Sequence, residues 1–230
     1  MLKAIVFDCD GVIADTEPVH LAAFQTVLAA EGISLSKELY YREYLALDDF
    51  GCYSKAFADH GLALSRQKVD ELIERKAAAV KPVITEHLRL FPGVVDFIRR
   101  ASQHVTLAVA SGALRREVEL ILRTADIAGC FKAVVCAEDV ARGKPHPDPF
   151  LEALARINSG VDSPIKPGEC LVVEDSIHGI RSAHAAGMLC LAVTNSYPSE
   201  TLAEADLVAG TLDGFSLAQL ESLFLRKRGE

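Results

Sequence analysis

An α/β fold is predicted for this 230-residue chain: a parallel sheet covered by helices, interrupted by one all-helical insertion. Three observations predict it. Short runs that are apolar throughout, rather than alternating, recur at residues 4–7, 105–110, 133–136, 170–173 and 190–193. Each run leads into a stretch of helical spacing, the mark of strands buried on both faces of a parallel sheet. From residue 17 to residue 85 the strand-like runs cease and only helical spacing is found.

The first strand, 4–7, ends abruptly in Asp8-Cys-Asp-Gly11. Leu21, Phe24 and Leu28 then recur at helical spacing, and Gly32 lies just past the last turn, where a left-handed residue stops a helix. Phe50, Tyr53 and Phe57 repeat the pattern, and Val69, Leu72, Ile73, Ala77 and Val80 form a longer stripe behind a capping Ser65. Phe91-Pro-Gly93 turns the chain into a helix over 94–101. The second strand ends in Ser111-Gly112, with a helix to Thr124, and the third strand is 133–136. Asp148-Pro149 reads as the start of a helix with a side-chain cap and proline at its first position. The fourth strand ends in Glu174-Asp-Ser176, its helix stops at Gly187, 190–193 is the fifth strand, and Leu207-Val208 suits a sixth.

Half of the residues are hydrophobic, enough for a full core in one domain with an insertion. A net charge of −8 argues against non-specific nucleic-acid binding, which needs clustered Lys and Arg. The one basic cluster, Arg226-Lys-Arg228, is terminal and short. Six scattered cysteines without a C-x-x-C pair read as reduced, buried thiols, and the early charges at Asp8 and Asp10 do not suit a signal peptide. No run has the length of a membrane span, so a cytoplasmic protein without a membrane partner is expected.

Open α/β sheets hold their ligands beyond the carboxyl ends of the strands. The polar residues that follow each run therefore share one edge, which collects Asp8, Asp10, Ser111, Glu174 and Asp175. Gly11 permits a sharp turn, so Asp8 and Asp10 can converge, and such a pair repels itself unless a cation or proton is present. Asp8, Asp10, Glu174 and Asp175 form an oxygen-rich set without His or Cys, which suits a hard cation, with Mg2+ the economical choice. The alternatives stay open residue by residue. Asp8 and Asp10 suit a turn cap, Glu174-Asp175 a helix N-terminus, Ser111-Gly112 a helix cap or an anion grip, and Lys144 in Gly-Lys-Pro a surface lysine or a charge reaching the acidic edge.

Together, Asp8-Cys-Asp-Gly-Val, Ser111, Lys144 in Gly-Lys-Pro and Glu174-Asp-Ser resemble, in order and spacing, the four motifs of the haloacid dehalogenase superfamily of phosphotransferases. The resemblance covers nearly the whole chain. It implies a Rossmann-like core at 1–16 and 86–230, with residues 17–85 as the helical cap of the branch that holds β-phosphoglucomutase-like proteins and small-molecule phosphatases. It also implies Asp8 as nucleophile and Asp10 as general acid and base. Ser111 and Lys144 would hold the phosphoryl group, with Gly112, Thr16 and His20 as substrate contacts. The expected activity is magnesium-dependent hydrolysis of a small phosphorylated metabolite through an aspartyl-phosphate.

Asp10 argues for phosphate esters over halides or phosphonates, because an ester's leaving oxygen needs a proton. A sugar-phosphate mutase is the main alternative, since Thr16 and His20 match positions that the mutase branch uses. Against it, the loop 43–51 carries Asp48-Asp49 and no Lys or Arg to grip a second phosphate, although Arg42 stands nearby. His20 reads equally as a helix-surface residue. A non-catalytic phosphate binder would have no reason to keep both Asp8 and Asp10. Cys136-x5-Arg142 has the spacing of a cysteine phosphatase, but the intervening residues include two acids and no glycine to cradle an anion.

Overall fold

The computed structural model describes residues 1–45 and 47–228, with the side chains of the basic cluster 226–228 and all of Ala46 outside the described residues. The chain divides into two compact units, Met1–Asp15 with Leu90–Glu230, and Thr16–Arg89.

In the first unit the described residues form one six-stranded parallel sheet: β1 (Ala4–Phe7), β2 (Thr106–Ala110), β3 (Ala133–Val135), β4 (Cys170–Glu174), β5 (Leu189–Val193) and β6 (Leu207–Ala209). Their order is β3-β2-β1-β4-β5-β6. The order reverses between β1 and β4, which pair from Ala4 opposite Cys170 to Phe7 opposite Val173. That crevice is where doubly wound sheets bind ligands. The continuous apolar runs follow from the placement: β1 and β4 are buried along their whole lengths, so neither face calls for a polar residue. Phe7 adds edge-on ring contacts with Phe97 and Phe131, at centroid distances of 6.1 and 6.0 Å.

The second unit contains α1 (Glu17–Ala29), a short α2 (Lys37–Leu39) running into a π-type turn (Tyr40–Tyr44), α3 (Asp49–Asp59) and α4 (Arg66–His87). None of its described residues is in a strand. Ser65 caps α4 by accepting a hydrogen bond from the Lys68 N–H. The α4 stripe runs on to a buried Ile84, so the helix passes residue 85 and the compact unit ends at Arg89. On α3 the stripe is Cys52, Tyr53, Ala56 and Phe57. Phe50 lies to one side of it, 42% exposed, with the Arg66 guanidinium 5.0 Å from its ring centroid.

The sheet is covered by α5 (Val94–Ala101), α6 (Arg115–Thr124), α7 (Asp148–Asn158) and α8 (Ile177–Ala185), and α9 (Leu217–Arg228) ends the described chain. One expected cap is absent. Asp148 is the first residue of α7 rather than the one before it, and its carboxylate receives a two-pronged hydrogen bond from Arg142 at 2.9 and 3.0 Å. Among the described residues, no helix is long and apolar enough to cross a membrane.

Gly93 caps α5 in the left-handed conformation, with φ +76°, and a Cβ there would stand 2.3 Å from the Asp213 Cα. Both the backbone conformation and the close approach require glycine. Gly93→Ala is expected to destabilise the protein by about 2 kcal/mol or more and lower Tm by about 4–8 °C, as read by a thermal melt.

Candidate active site

The main chain carries Asp8 to the switch point. Its N–H donates to the Val173 carbonyl at 2.9 Å, extending the β1–β4 pairing one residue past the strand, while Cys9 turns into the core. The chain then doubles back through Gly11, whose φ of +77° suits glycine, and the Ile13 N–H donates to the Cys9 carbonyl at 2.8 Å. A Cβ on Gly11 would fall 1.8 Å from Asp175 Oδ2. Glycine is thus what lets the loops after β1 and β4 touch.

Asp8, Glu174 and Asp175 each offer a carboxylate oxygen within 4.8 Å of the others'. Glu174 is fully buried, and its Oε2 accepts from the Asp175 N–H, the Ser176 N–H and the Ser176 hydroxyl at 2.9–3.0 Å. Lys144 donates to Glu174 Oε1 at 2.6 Å. Its Nζ also lies 2.9 Å from the buried Asp8 Oδ1, so one ammonium bridges two carboxylates. Gly179, on the first turn of α8, completes the cradle: a Cβ there would meet the Glu174 carboxylate at 1.8 Å.

The charges do not balance locally. Burial pushes the Asp8 carboxyl up to about 7, with Glu174 and Asp10 adding to the rise and Lys144 opposing it. Burial also drives the Asp175 carboxyl up, reinforced by Glu174 and Asp8. Burial works on Glu174 in the same direction, but Lys144 and the surrounding donors outweigh it and hold that carboxyl below its usual value. Lys144 stays charged because Asp8 and Glu174 together overcome its own desolvation. Oxygen donors from three acids, two of them with carboxyls whose ionisation burial opposes, fit a hard divalent cation.

Asp10, the fourth acid expected at the cation, lies outside this tight trio of side-chain oxygens. Its Oδ2 instead receives a weak hydrogen bond, 3.4 Å long, from the hydroxyl of Ser111. Ser111 is 3% exposed, and its Oγ also accepts from the Ala113 N–H at 3.0 Å. Gly112 stands with open space where a side chain would be. Thr16 and His20 belong to the helical unit, at the start of α1, where His20 is 7% exposed and so not a surface histidine. Cys136 is no nucleophile: burial pushes its thiol up to about 12, and Arg142 is engaged by Asp148. Of the cysteines, Cys130 alone is only partly buried.

Two residues that the sequence reading passed over stand at the same edge, just past β5. Asn195 Nδ2 donates to the Gly11 carbonyl at 2.7 Å, and the Ser196 hydroxyl donates to Asp175 Oδ2. Extending the strand-end rule to β5 would have found them.

With this geometry in place, the comparisons with known proteins are specific. A family model described as haloacid dehalogenase-like hydrolase matches residues 2–187. Protein CbbY of Rhodobacter capsulatus is 32% identical, over 85% of this chain and 87% of that protein. The fructose-1-phosphate phosphatase YqaB of Escherichia coli is 31% identical, over 80% of this chain and 92% of its own. The β-phosphoglucomutase of Bacillus subtilis is 27% identical, over 95% and 94%. Among solved structures, the β-phosphoglucomutase of Clostridium difficile shares the fold with a TM-score of 0.87, covering all of both chains at 20% identity. The parallel sheet with this strand order is accordingly the Rossmann-like fold of that group, and the chain belongs to the haloacid dehalogenase-like hydrolase family.

Proposed function

We propose that this protein is a magnesium-dependent phosphatase that hydrolyses a small sugar phosphate through an aspartyl-phosphate on Asp8. The observation that carries the reading is the state of Asp8: a buried carboxylate at the sheet's switch point, within 4.8 Å of two further acids and 2.9 Å from the Lys144 ammonium.

Asp8 attacks phosphorus, forming an O–P bond as the ester P–O bond breaks, so that one hard displacement becomes two. Asp10, protonated at the outset, gives its proton to the departing sugar oxygen. The same carboxylate then takes a proton from the water that attacks phosphorus, and Asp8 leaves as a free carboxylate. Ser111, at the end of β2, and Lys144, from the loop before α7, hold the phosphoryl oxygens. Bound among Asp8, Glu174 and Asp175, magnesium would supply neutralising charge to the transferring group. The names of YqaB and the mutase point to sugar phosphates as the substrate class. The helical unit would act as the cap that selects among them, with Thr16 and His20 as its contacts.

The similarity to the Bacillus subtilis mutase supports an alternative in which the phosphoryl group returns to the sugar. Side-chain pairing in the helical unit favours hydrolysis instead. Arg42 is held by Glu43 at 2.9 Å, Asp48 caps α3 by accepting from the Gly51 N–H, and Asp49 pairs with Lys76. A second phosphate would find these cations already neutralised. Conversion of β-glucose 1-phosphate to glucose 6-phosphate, without phosphate release, would decide for the mutase.

Asp8→Asn removes the attacking charge at constant size and is expected to abolish phosphate release from p-nitrophenyl phosphate, with an unchanged circular dichroism spectrum. Asp10→Asn removes the proton carrier and is expected to lower kcat by about 10²–10⁴-fold. Near-normal turnover in either variant would refute the assigned roles.

Because burial raises the Asp8 carboxyl to about 7, protons compete with a cation for it near neutrality, and the raised Asp175 carboxyl acts in the same direction. Magnesium should therefore raise Tm more at pH 8 than at pH 6, with affinity rising up to about tenfold per pH unit for each proton displaced. EDTA should stop turnover and magnesium restore it. A magnesium shift in Tm that is larger at the lower pH would contradict this electrostatic account.

A further inference from the structure

We infer that Ser196 is a positioning residue for the cation site, setting the orientation of the Asp175 carboxylate from the loop after β5. The inference rests on the metal site proposed above and goes beyond it, because Ser196 belongs to none of the four motifs.

Three independent contacts converge on this spot. The Ser196 hydroxyl donates to Asp175 Oδ2, and a Cβ on Gly11 would sit 1.8 Å from that same oxygen and 2.9 Å from Ser196 Oγ. Next to it, Asn195 Nδ2 holds the Gly11 carbonyl at 2.7 Å. The loop after β5 therefore grips both acidic loops, one through its backbone and the other through its carboxylate.

A carboxylate turns freely about its Cβ–Cγ bond unless one oxygen is held. A hydroxyl donor on one oxygen resists that rotation and presents the group to the ion already oriented. The hydroxyl is also neutral, so it orients Asp175 without competing with the cation's charge as a lysine would. Ser196 lines an open depression together with Thr194, Tyr197 and Glu200. The loop is thus not packed core, and loss of one hydroxyl leaves the fold's packing intact.

The test is calorimetric titration of the full chain with magnesium alone, without substrate, for wild type, Ser196→Ala and Ser196→Thr, with urea midpoints measured in EDTA. Ser196→Ala is expected to raise the magnesium Kd about tenfold, Ser196→Thr to restore most of the affinity by returning the hydroxyl, and the urea midpoints to agree. Wild-type affinity in Ser196→Ala overturns the inference, as does a loss in Ser196→Thr equal to that in Ser196→Ala. Wild-type protein that binds no magnesium overturns it together with the metal site. Magnesium binding that depends on Ser196, in a protein that releases no phosphate from any ester, would uphold the inference and refute the proposed hydrolase.

Discussion

Negative charge buried at a sheet's switch point, with one ammonium beside it, is the constraint on which the rest of the core unit depends. Asp8, Glu174 and Asp175 are each at most 9% exposed, so water does little to screen them from one another. Lys144 answers part of that charge, and the donors around Glu174 answer more. What is left over is a local cost that a surrounding apolar sheet must outweigh, and the fully buried β1 and β4 supply the counterweight. Stability and chemistry are therefore set by adjoining residues of the same two strands. Such strain at a site, offset by a well-packed frame, is how an enzyme keeps a reactive group poised.

The helical unit handles charge differently. Lys76 has a side chain only 3% exposed, pairs with Asp49 and lies 4.5 Å from the Phe24 ring centroid. Glu31 takes Lys68 and Arg75 together, at 3.1 and 2.6 Å, and both cations hold its carboxyl below the usual range. With Glu71, which pairs with the same two cations, these groups are internally neutral, where the acids of the core unit are not. On the proposed reading, the work is divided accordingly: charge for the chemistry comes from the sheet edge, and the helices contribute shape and neutral polar contacts.

Much of this could be read from the chain because the strands are buried on both faces. A run such as Ala4 to Phe7 carries no competing signal, and the abrupt change to Asp8 marks its end within one residue. The helix N-terminus at Ser65 was equally plain, since the hydroxyl bonds a backbone N–H three residues on; at α8 that place is taken by Ser176, beyond the Glu174-Asp175 pair read as a helix N-terminus. The misreadings share another cause: a side chain with more than one available partner. Asp148 was expected to cap α7 and answers Arg142, and Phe50 fits the apolar period and lies under Arg66. Local spacing says where a side chain starts but not which distant group claims it. Asn195 and Ser196 escaped notice for the same reason, as their partners lie 184 and 21 residues away.

Gly179 bears on how related chains are to be read. The seat beneath Glu174 exists only because α8 begins with an atom missing, where even a methyl group would intrude on the carboxylate. A sequence could therefore retain every acid, the lysine and the serine, carry alanine at this one place, and have nowhere to put its glutamate. Inventories of chemically active side chains would count such a chain as complete, whereas an inventory of empty spaces would not.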